Sequence, residues 1–351
     1  MDIVFIKQGI TSYGHIEAGI GRAAAGIEGL RLDSLELAAH YRAQPEPLRS
    51  QPHPARMRQA VVRLHEELLR SAGEVVLLLN GFVLEWYRPG FFAALKKAGK
   101  TVVGWQIDDP YYIDHAPKFA ADLDLVPTVD SAALPVYAGL GAKARFLPLA
   151  CDPALHRDYG AAAARERCDV SFIGAPFGES RRTRLIDELA VCLPKYDTRI
   201  AGATDIDSWR KGLRNFAALA PCIHDARVSP EEAARFFSAS RINLNIHKDS
   251  YGHPWDQNAG RVEGRSPCER TFAIAGCGGF QLIDDTRPDL AGLFVPGREL
   301  VTFADAADLA AKIDYYLAHD GERREIARAG QARAYAGHTY LHRLKAILGW
   351  L

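Results

Sequence analysis

Three arginines surround a short segment that is typical of a helix N-terminus, and together they favour the binding of an anion. Arg261, Arg265 and Arg270 flank Ser266 and Pro267, a pair suited to the cap and the first turn of a helix. The first amides of a helix have no internal partner and lie at the positive end of its dipole. Guanidinium charges beside such amides predict a pocket for a diphosphate. The same pattern also fits an α/β unit whose arginines are only solvated.

A second basic turn follows the apolar run 168–174. Gly174 allows the backbone to approach a phosphate, and Arg181 or Arg182 on the next helix can meet charge that develops on a leaving group. An amphipathic helix with solvated arginines is the alternative. Lys248 begins a long polar loop, 247–265, whose mixture of aromatic and polar residues suits sugar binding or simple solvation. Asp284 and Asp285 are interpreted as surface or turn residues.

Two motifs in the first half of the chain could perform acid–base chemistry. His15 follows Gly14 after the first strand, and an imidazole changes its charge between about pH 5 and 8. Asp108 and Asp109 end another predicted strand, where one carboxylate could act as a base or hold a sugar hydroxyl. For both motifs, the alternative to acid–base chemistry is a structural role in helix or turn capping. A metal site at the two aspartates is not favoured.

Strands and helices must alternate to position these groups. Apolar runs predict strands in the first half of the chain at 2–6, 30–36, 74–79, 101–106, 123–127 and 144–147. After a break at 151–167, runs at 168–174, 196–201, 241–246 and 280–283 predict a second set, and 305–351 is expected to be nearly all helical. Strands that alternate with helices imply parallel sheets covered on both faces. Ligands of such sheets bind outside the carboxyl ends of the strands.

Length and composition exclude several classes of function. The 351 residues suggest two domains, and 43 basic against 43 acidic residues leave no broad surface for nucleic acid or anionic membranes. No apolar run reaches membrane-spanning length, and the N-terminus lacks the features of a signal peptide. The six cysteines have neither C-x-x-C nor zinc-ligand spacing, which indicates reduced thiols and a cytoplasmic protein. Glycines at 19, 21 and 26 do not form a dinucleotide fingerprint.

The segment 270–282 carries a resemblance to a known family. Arg270-Thr271-Phe272-Ala273 and Gly276-Cys277-Gly278-Gly279-Phe280-Gln281-Leu282 resemble the pattern R-x-F-E-x-x-A-C-G-x-F-x-L of CgeB-like glycosyltransferases. Agreement continues in order to His338-Thr339-Tyr340, a span of 71 residues from Arg270. The family glutamate, which holds the donor ribose in GT-B relatives, falls at Ala273. Glu269 lies one helical turn earlier and is the expected substitute.

This resemblance implies an α/β protein of the GT-B class with two Rossmann-like domains and a cleft between them. The implied boundaries are an acceptor domain at 1–155, a linker at 156–167, a donor domain at 168–337 and a helix at 338–351 that returns to the first domain. The implied substrate is a nucleotide-diphosphate sugar, with an unidentified acceptor, no metal and no cofactor. A nucleotide-sugar epimerase and a non-catalytic spore-surface protein remain alternatives.

The resemblance also implies roles for single residues. His15 and Asp109 are the expected catalytic groups. The residues expected to bind the donor are Gly14, Gly174, Arg181, Arg182, Lys248, Arg261, Arg265, Glu269, Arg270 and Thr271.

Overall fold

The computed structural model of the chain describes residues 1–9, 13–44, 51–202 and 206–351. They form two units, each with its own hydrophobic core. The first unit comprises residues 1–148, 257–264 and 340–351, and the second comprises residues 149–256 and 265–339. The loops predicted at 9–15 and 44–54 lie partly outside the described residues.

The first unit is built on short apolar strands that pair in parallel. These strands are β1 (Asp2–Lys7), β2 (Arg31–Glu36), β3 (Val75–Leu79), β4 (Thr101–Trp105), β5 (Val126–Thr128) and β6 (Ala144–Phe146). The main sheet has the order β2-β1-β3-β4, and β5 pairs with β6. All five residues of β3 are buried, as expected for a strand covered on both faces.

Amphipathic helices cover this sheet. They are α1 (Gly14–Ala25), α2 (Leu37–Arg42), α3 (His53–Arg70), α4 (Phe82–Tyr87), α5 (Phe91–Lys97) and α6 (Leu134–Gly139). Helix α3 buries Val61, Leu64 and Leu68, at the spacing of one helical face. The C-terminal helix Tyr340–Trp350 packs on α1 within the first unit.

The second unit contains a parallel sheet of six described strands. They are β7 (Val170–Ile173), β8 (Thr198–Gly202), β9 (Ile223–Arg227), β10 (Ile242–Asn245), β11 (Gln281–Asp284) and β12 (Val301–Phe303). Their order is β12-β11-β10-β7-β8-β9, so the direction of chain progression reverses between β7 and β10. Open α/β sheets bind ligands outside the carboxyl ends of their strands at such a switch point.

Helices surround this second sheet. They are α7 (Arg181–Glu188), α8 (Ile206–Gly212), α9 (Phe216–Leu219), α10 (Pro230–Ala239), α11 (Glu269–Gly276), α12 (Leu290–Leu293), α13 (Ala306–Ala318) and α14 (Asp320–Gly337). Ser180 forms a capping box with Thr183 at the start of α7. The predicted helical character of the chain after 305 is confirmed.

Two local expectations differ from the structure. The predicted linker, 156–167, belongs to the second unit, and its 3-10 helix Gly160–Glu166 packs against α10. Buried Ala163 explains this packing, because an alanine-rich segment can lie flat on a helix. Ser266 does not cap α11. That helix begins later, with Cys268 at the cap position, while the Ser266 hydroxyl donates to Asp289 at 2.6 Å.

Candidate functional site

Two helix N-termini lie at the switch point of the second sheet. Helix α7 follows the turn after β7, and α11 follows the long loop after β10. Gly174 at the end of β7 is needed for this arrangement. A Cβ atom there would lie 2.9 Å from the Phe172 ring and 3.0 Å from Nη2 of Arg270. Arg270 can therefore reach the end of β7 because residue 174 has no side chain.

Arg182 and Arg270 meet over one aromatic ring. Their guanidinium carbons lie 5.5 Å and 5.2 Å from the centre of the Phe172 ring, a distance at which a cation is attracted to the ring face. Arg182 is only 3% exposed and donates to the carbonyls of Ile246 (3.0 Å) and Ala175 (2.7 Å). Arg270 contacts Asn245 Oδ1 at 3.4 Å and Ile246 O at 3.3 Å, both neutral oxygens. These two charges form a positive site at the ends of β7 and β10.

A buried carboxylate, an imidazole and a thiol form a chain beside these arginines. Asp284 Oδ2 accepts from the backbone amide of His247 at 2.6 Å and lies 3.1 Å from Nδ1 of the same residue. His247 Nε2 accepts from the Cys268 amide at 3.2 Å. Asp284 is fully buried at the end of β11, so the prediction that it lies at the surface is wrong. Parallel pairing of β10 with β11 brings His247 and Asp284 together.

Burial and charge act in opposite directions on these three groups. Burial alone would raise the pKa of Asp284, but the His247 imidazole holds that pKa well below its usual range. Burial alone would lower the pKa of His247, but Asp284 and Cys268 raise it. For Cys268, burial raises the pKa, whereas His247, Arg270 and Arg182 together lower it to about 6.

Three other predicted donor-binding cations already contact carboxylates. Lys248 pairs with Asp256 at 2.9 Å, Arg265 with Asp289 at 3.5 Å, and Arg181 with Asp284 at 3.5 Å. Such pairing offsets part of the charge that each side chain offers to an anion. Arg182 and Arg270 both donate to the carbonyl oxygen of Ile246 at the switch point.

The remaining predicted positions on α11 differ in burial. Thr271 is buried, and its hydroxyl accepts from Asn245 at 2.8 Å, so it supports the arginines from inside the protein. Ala273, at the position of the family glutamate, is 4% exposed and belongs to a small apolar cluster with Ile274. Glu269 is half-buried at the first position of the helix. Its role in ribose binding stays a prediction.

A cavity of about 380 Å³ opens beside the start of α7. Its lining includes Phe177, Ser180, Lys248, Asp249 and His253. The Phe177 ring lies 5.1 Å from Lys248 Nζ and packs edge-on against His253, with ring centres 5.3 Å apart. The combination of aromatic faces, carboxylates and a cation is suited to a polar ligand with a ring.

In the first unit, the structure surrounds Asp108 with hydrogen-bond donors. Tyr13 and Asn80 both donate to Asp108 Oδ2, and the Asn80 side-chain oxygen accepts from the Ile107 amide at 2.9 Å. Burial, followed by the charge of Asp108, raises the pKa of Tyr13 well above its usual value. Tyr13 directly precedes Gly14 and His15 at the start of α1, and His15 is half-buried. Polar residues after β1, β3 and β4 thus meet at one sheet edge.

The two predicted aspartates have different surroundings. Asp109 is 7% exposed and accepts from the hydroxyls of Thr128 (2.6 Å) and Tyr137 (3.0 Å). Asp108 is the more exposed of the pair. A catalytic role for Asp109 stays a prediction, whereas its contacts are those of a core carboxyl. Arg261, predicted to bind the donor, is exposed and lies in the first unit with a left-handed φ of 51°.

We expect Asp109→Asn to flatten the pH dependence of stability between about pH 4 and 7. Burial raises the pKa of Asp109 to about 7, against the lowering effect of Thr128 and Tyr137. The folded state therefore keeps a proton that the unfolded state releases above about pH 4. The stability linked to this proton is present at low pH and is lost as pH rises toward 7.

Urea unfolding of wild type and Asp109→Asn across this range measures the effect. The exposed Asp2 offers a control, because Asp2→Asn should retain the wild-type slope. A lower overall stability of Asp109→Asn is compatible with both a structural and a catalytic role of Asp109. The slope of the free energy of unfolding against pH is therefore the measurement that decides. An unchanged slope would contradict a protonated carboxyl in the core.

Residues 1–9, 13–44, 51–202 and 206–351 contain no group of three or more His, Cys, Asp or Glu side chains placed to hold a metal ion. None of the helices within those ranges is both long and apolar enough to cross a membrane.

Two units built on parallel sheets are typical of the GT-B class of α/β proteins. Solved structures of that class have the same fold as this chain. HepE from Anabaena, solved with UDP and glucose, has a TM-score of 0.68 and 13% identity, covering 99% of this chain and 98% of its own. Sucrose-phosphate synthase from Thermosynechococcus elongatus has a TM-score of 0.68 and 12% identity, with coverages of 100% and 98%. A putative UDP-N-acetylglucosamine 2-epimerase from Listeria monocytogenes has a TM-score of 0.59 and 12% identity, with coverages of 99% and 94%. The predicted fold class is confirmed.

Sequence comparison identifies the relatives within this class. Residues 181–349 match the family model described as glycosyl transferase-like. Over 259 residues the chain is 27% identical to the spore protein CgeB of Bacillus subtilis, covering 72% of this chain and 77% of that protein. The predicted resemblance to CgeB-like glycosyltransferases is therefore confirmed.

Proposed function

We propose that this protein transfers a sugar from a nucleotide-diphosphate donor to an acceptor hydroxyl. The meeting of Arg182 and Arg270 at the ends of β7 and β10 carries this proposal. A diphosphate bound there would face two guanidinium groups and the first amides of α7 and α11. HepE, which has the same fold, has been solved with UDP-glucose, and this supports a nucleotide-sugar donor.

The proposed sugar transfer requires the protein to stabilise a departing diphosphate. Fixed cations and helix amides placed before the reaction stabilise developing negative charge without reorganisation. In this proposal they act without a metal ion, and Glu269 accepts hydrogen bonds from the donor ribose. His15 takes the proton of the acceptor hydroxyl as general base. Asp108 holds an acceptor hydroxyl, and its donor Tyr13 lies two residues before that base.

Arg270→Gln should weaken UDP binding by roughly 10- to 150-fold. A charge-assisted hydrogen bond contributes about 1.5–3 kcal/mol, and about 1.4 kcal/mol corresponds to tenfold in affinity. Isothermal calorimetry with UDP measures this change. Arg298→Gln is the matched control, because Arg298 is an exposed arginine of the same unit. Wild-type affinity in Arg270→Gln would overturn the placement of the diphosphate.

Comparing UDP with inorganic pyrophosphate separates the roles of Arg270 and Glu269. Arg270→Gln should weaken the binding of both ligands, since the guanidinium meets the phosphates. Glu269→Gln should weaken only UDP, because pyrophosphate has no ribose. Equal effects of Glu269→Gln on both ligands would remove Glu269 from ribose binding.

An epimerase of nucleotide sugars is the second candidate, because structural neighbours include UDP-N-acetylglucosamine 2-epimerases. Such an enzyme would convert its substrate with no acceptor present. Incubation with UDP-N-acetylglucosamine alone, followed by chromatography of the sugar, distinguishes the two reactions. Formation of an epimer without release of UDP would favour the epimerase.

A further inference from the structure

The cavity beside the start of α7 adjoins Arg182 of the candidate diphosphate site through one aromatic ring. Its volume is about 380 Å³, and it lies between the turn after β7 and the loop after β10. The Phe177 ring lines it, and the centre of that ring is 5.2 Å from Cζ of Arg182 and 5.1 Å from Nζ of Lys248. The same ring thus borders both the cavity and an arginine of the diphosphate site.

The turn that carries Phe177 has a strained backbone. Phe177 has a left-handed φ of 57°, which a bulky side chain rarely adopts, and Gly178 follows with a φ of 61°. Ser180 Oγ donates to the Pro176 carbonyl at 2.9 Å, and Thr183 Oγ1 donates to the carbonyl of residue 178 at 2.7 Å. Strained residues that are held in this way are concentrated at ligand-binding sites. Here the strain places an aromatic ring at the wall of the cavity.

Negative charge predominates among the described residues that line the cavity. Glu179 is exposed, and Asp249 is half-buried with Oδ2 accepting from the Arg181 amide at 2.8 Å. Lys248 brings a positive charge, but its ammonium contacts Asp256 at 2.9 Å, and the side chain of that aspartate is only 5% exposed. This pairing offsets the charge that Lys248 offers to a ligand. An anionic group in the cavity would therefore be repelled.

His253 gives the cavity an uncharged hydrogen-bond donor. Its Nδ1 accepts from the Trp255 amide at 3.3 Å, so the proton of the neutral ring is on Nε2. Burial lowers the pKa of His253, which keeps the ring neutral near neutral pH. Asp256 Oδ2 fixes this residue by accepting from its backbone amide at 2.9 Å. A neutral donor beside carboxylates suits the hydroxyl groups of a sugar, each of which both donates and accepts.

We propose that this cavity holds the sugar of the donor and selects an uncharged hexose over a uronic acid. The inference rests on the proposed function, in which Arg182 and Arg270 bind the diphosphate and Glu269 holds the ribose. The ribose and the sugar lie on opposite sides of a diphosphate. A ribose at the start of α11 therefore directs the sugar toward the start of α7, where the cavity lies. The carboxylate of a uronic acid would there meet the like charges of Glu179 and Asp249.

Calorimetry with UDP, UDP-glucose and UDP-glucuronic acid tests the selection. The two nucleotide sugars differ only in whether the sugar carries a hydroxymethyl group or a carboxylate. The wild-type protein should bind UDP-glucose at least about tenfold more tightly than UDP-glucuronic acid. Equal affinities for the two, or tighter binding of UDP-glucuronic acid, would overturn the proposal.

Two variants assign this preference to the carboxylates. Glu179→Gln should reduce the preference by roughly 3- to 10-fold, because it removes one of the two repelling charges. Asp249→Asn should act in the same direction, and its side-chain oxygen still accepts from the Arg181 amide. Glu188→Gln is the matched control, since Glu188 is an exposed glutamate at the other end of α7. A wild-type preference in both cavity variants would contradict selection by these carboxylates.

His253→Ala distinguishes a sugar site from a nucleoside site. It should weaken the binding of UDP-glucose by roughly 2- to 10-fold, as expected for a neutral hydrogen bond, and leave UDP affinity unchanged. His224→Ala is the control, because His224 is an exposed histidine of the same unit. Equal losses for UDP and UDP-glucose in His253→Ala would place the nucleoside in the cavity and overturn the proposal. An unchanged affinity for UDP-glucose would overturn it as well.

The binding of UDP itself separates a failure of this inference from a failure of the proposed function. UDP that binds to the wild-type protein and is weakened by Arg270→Gln, without any preference between the two nucleotide sugars, would contradict the assignment of the cavity alone. A wild-type protein that does not bind UDP would contradict the donor site and, with it, the assignment of the cavity.

Discussion

Asp284→Asn is expected to lower the free energy of unfolding by about 3–5 kcal/mol, because removing one partner of a buried ion pair leaves the other uncompensated. Asp284 is fully buried and accepts from the His247 amide and the Thr286 hydroxyl. Its oxygens also face the His247 ring and Arg181. An asparagine of nearly the same shape keeps the packing but loses the negative charge that faces Arg181 and the His247 ring.

The pH dependence of the free energy of unfolding provides a second test of this expectation. The pKa of Asp284 is lowered in the folded state, so the stability it contributes is present above about pH 4 and is lost as pH falls. The difference between wild type and Asp284→Asn should therefore shrink in acid. Asp285→Asn is the matched control, since Asp285 is the next residue and is exposed. Denaturant unfolding that shows equal stabilities for the two variants would contradict the buried ion pair.

His15→Ala should lower turnover by roughly 10²–10⁴ while leaving UDP affinity nearly unchanged. A positioned general base contributes about that factor, and the imidazole is the proposed proton acceptor at the start of α1. The predicted separation of turnover from affinity follows because the proposed diphosphate site belongs to the second unit, whereas His15 belongs to the first. Release of UDP from the nucleotide sugar, measured with and without acceptor, gives the rate.

His53→Ala provides the matched control, because His53 is an exposed histidine of the same unit. It should retain full turnover. Full turnover in His15→Ala as well would remove His15 from the mechanism, and Asp108→Asn would then be the variant to measure. Loss of UDP affinity in His15→Ala would instead assign His15 to donor binding.

Apolar runs and start signals made much of the fold predictable. Glu74–Leu79 is a long run of apolar residues after a polar one, and the structure has β3 at Val75–Leu79. A helix carrying Arg181 and Arg182 was expected after the run 168–174, and the capping box of Ser180 begins α7 at Arg181. Such features depend on neighbours within one turn or one strand, so they can be read without knowledge of the tertiary structure. The strands β9 and β12 were missed: β9 reads Ile-His-Asp-Ala-Arg and has no apolar run, and β12 has only the three residues Val-Thr-Phe.

The candidate site was less predictable, because its groups are distant in sequence. Asp284 lies 37 residues after His247, and neither has a motif that pairs them. One signal was present: each is a polar residue at or just after the end of a buried strand, and neighbouring parallel strands end at one edge. Asp108 and Asp109 are adjacent in sequence, yet one accepts from Tyr13 and the other from Thr128. Successive residues can point in opposite directions, which spacing alone does not reveal.

The sequence by itself determined the α/β class and the resemblance to CgeB-like glycosyltransferases, because each depends on local pattern or residue type, and it made Arg182 and Arg270 two of several candidate donor-binding cations. The tertiary structure decided which groups surround each of these charges. Arg265 and Lys248 are paired with carboxylates, whereas Arg270 reaches across Gly174 to share the Phe172 ring with Arg182. The physical reason is that the electrostatic effect of a charged side chain depends on its burial and on its partners. Strand order and register set both, and the residue type alone does not.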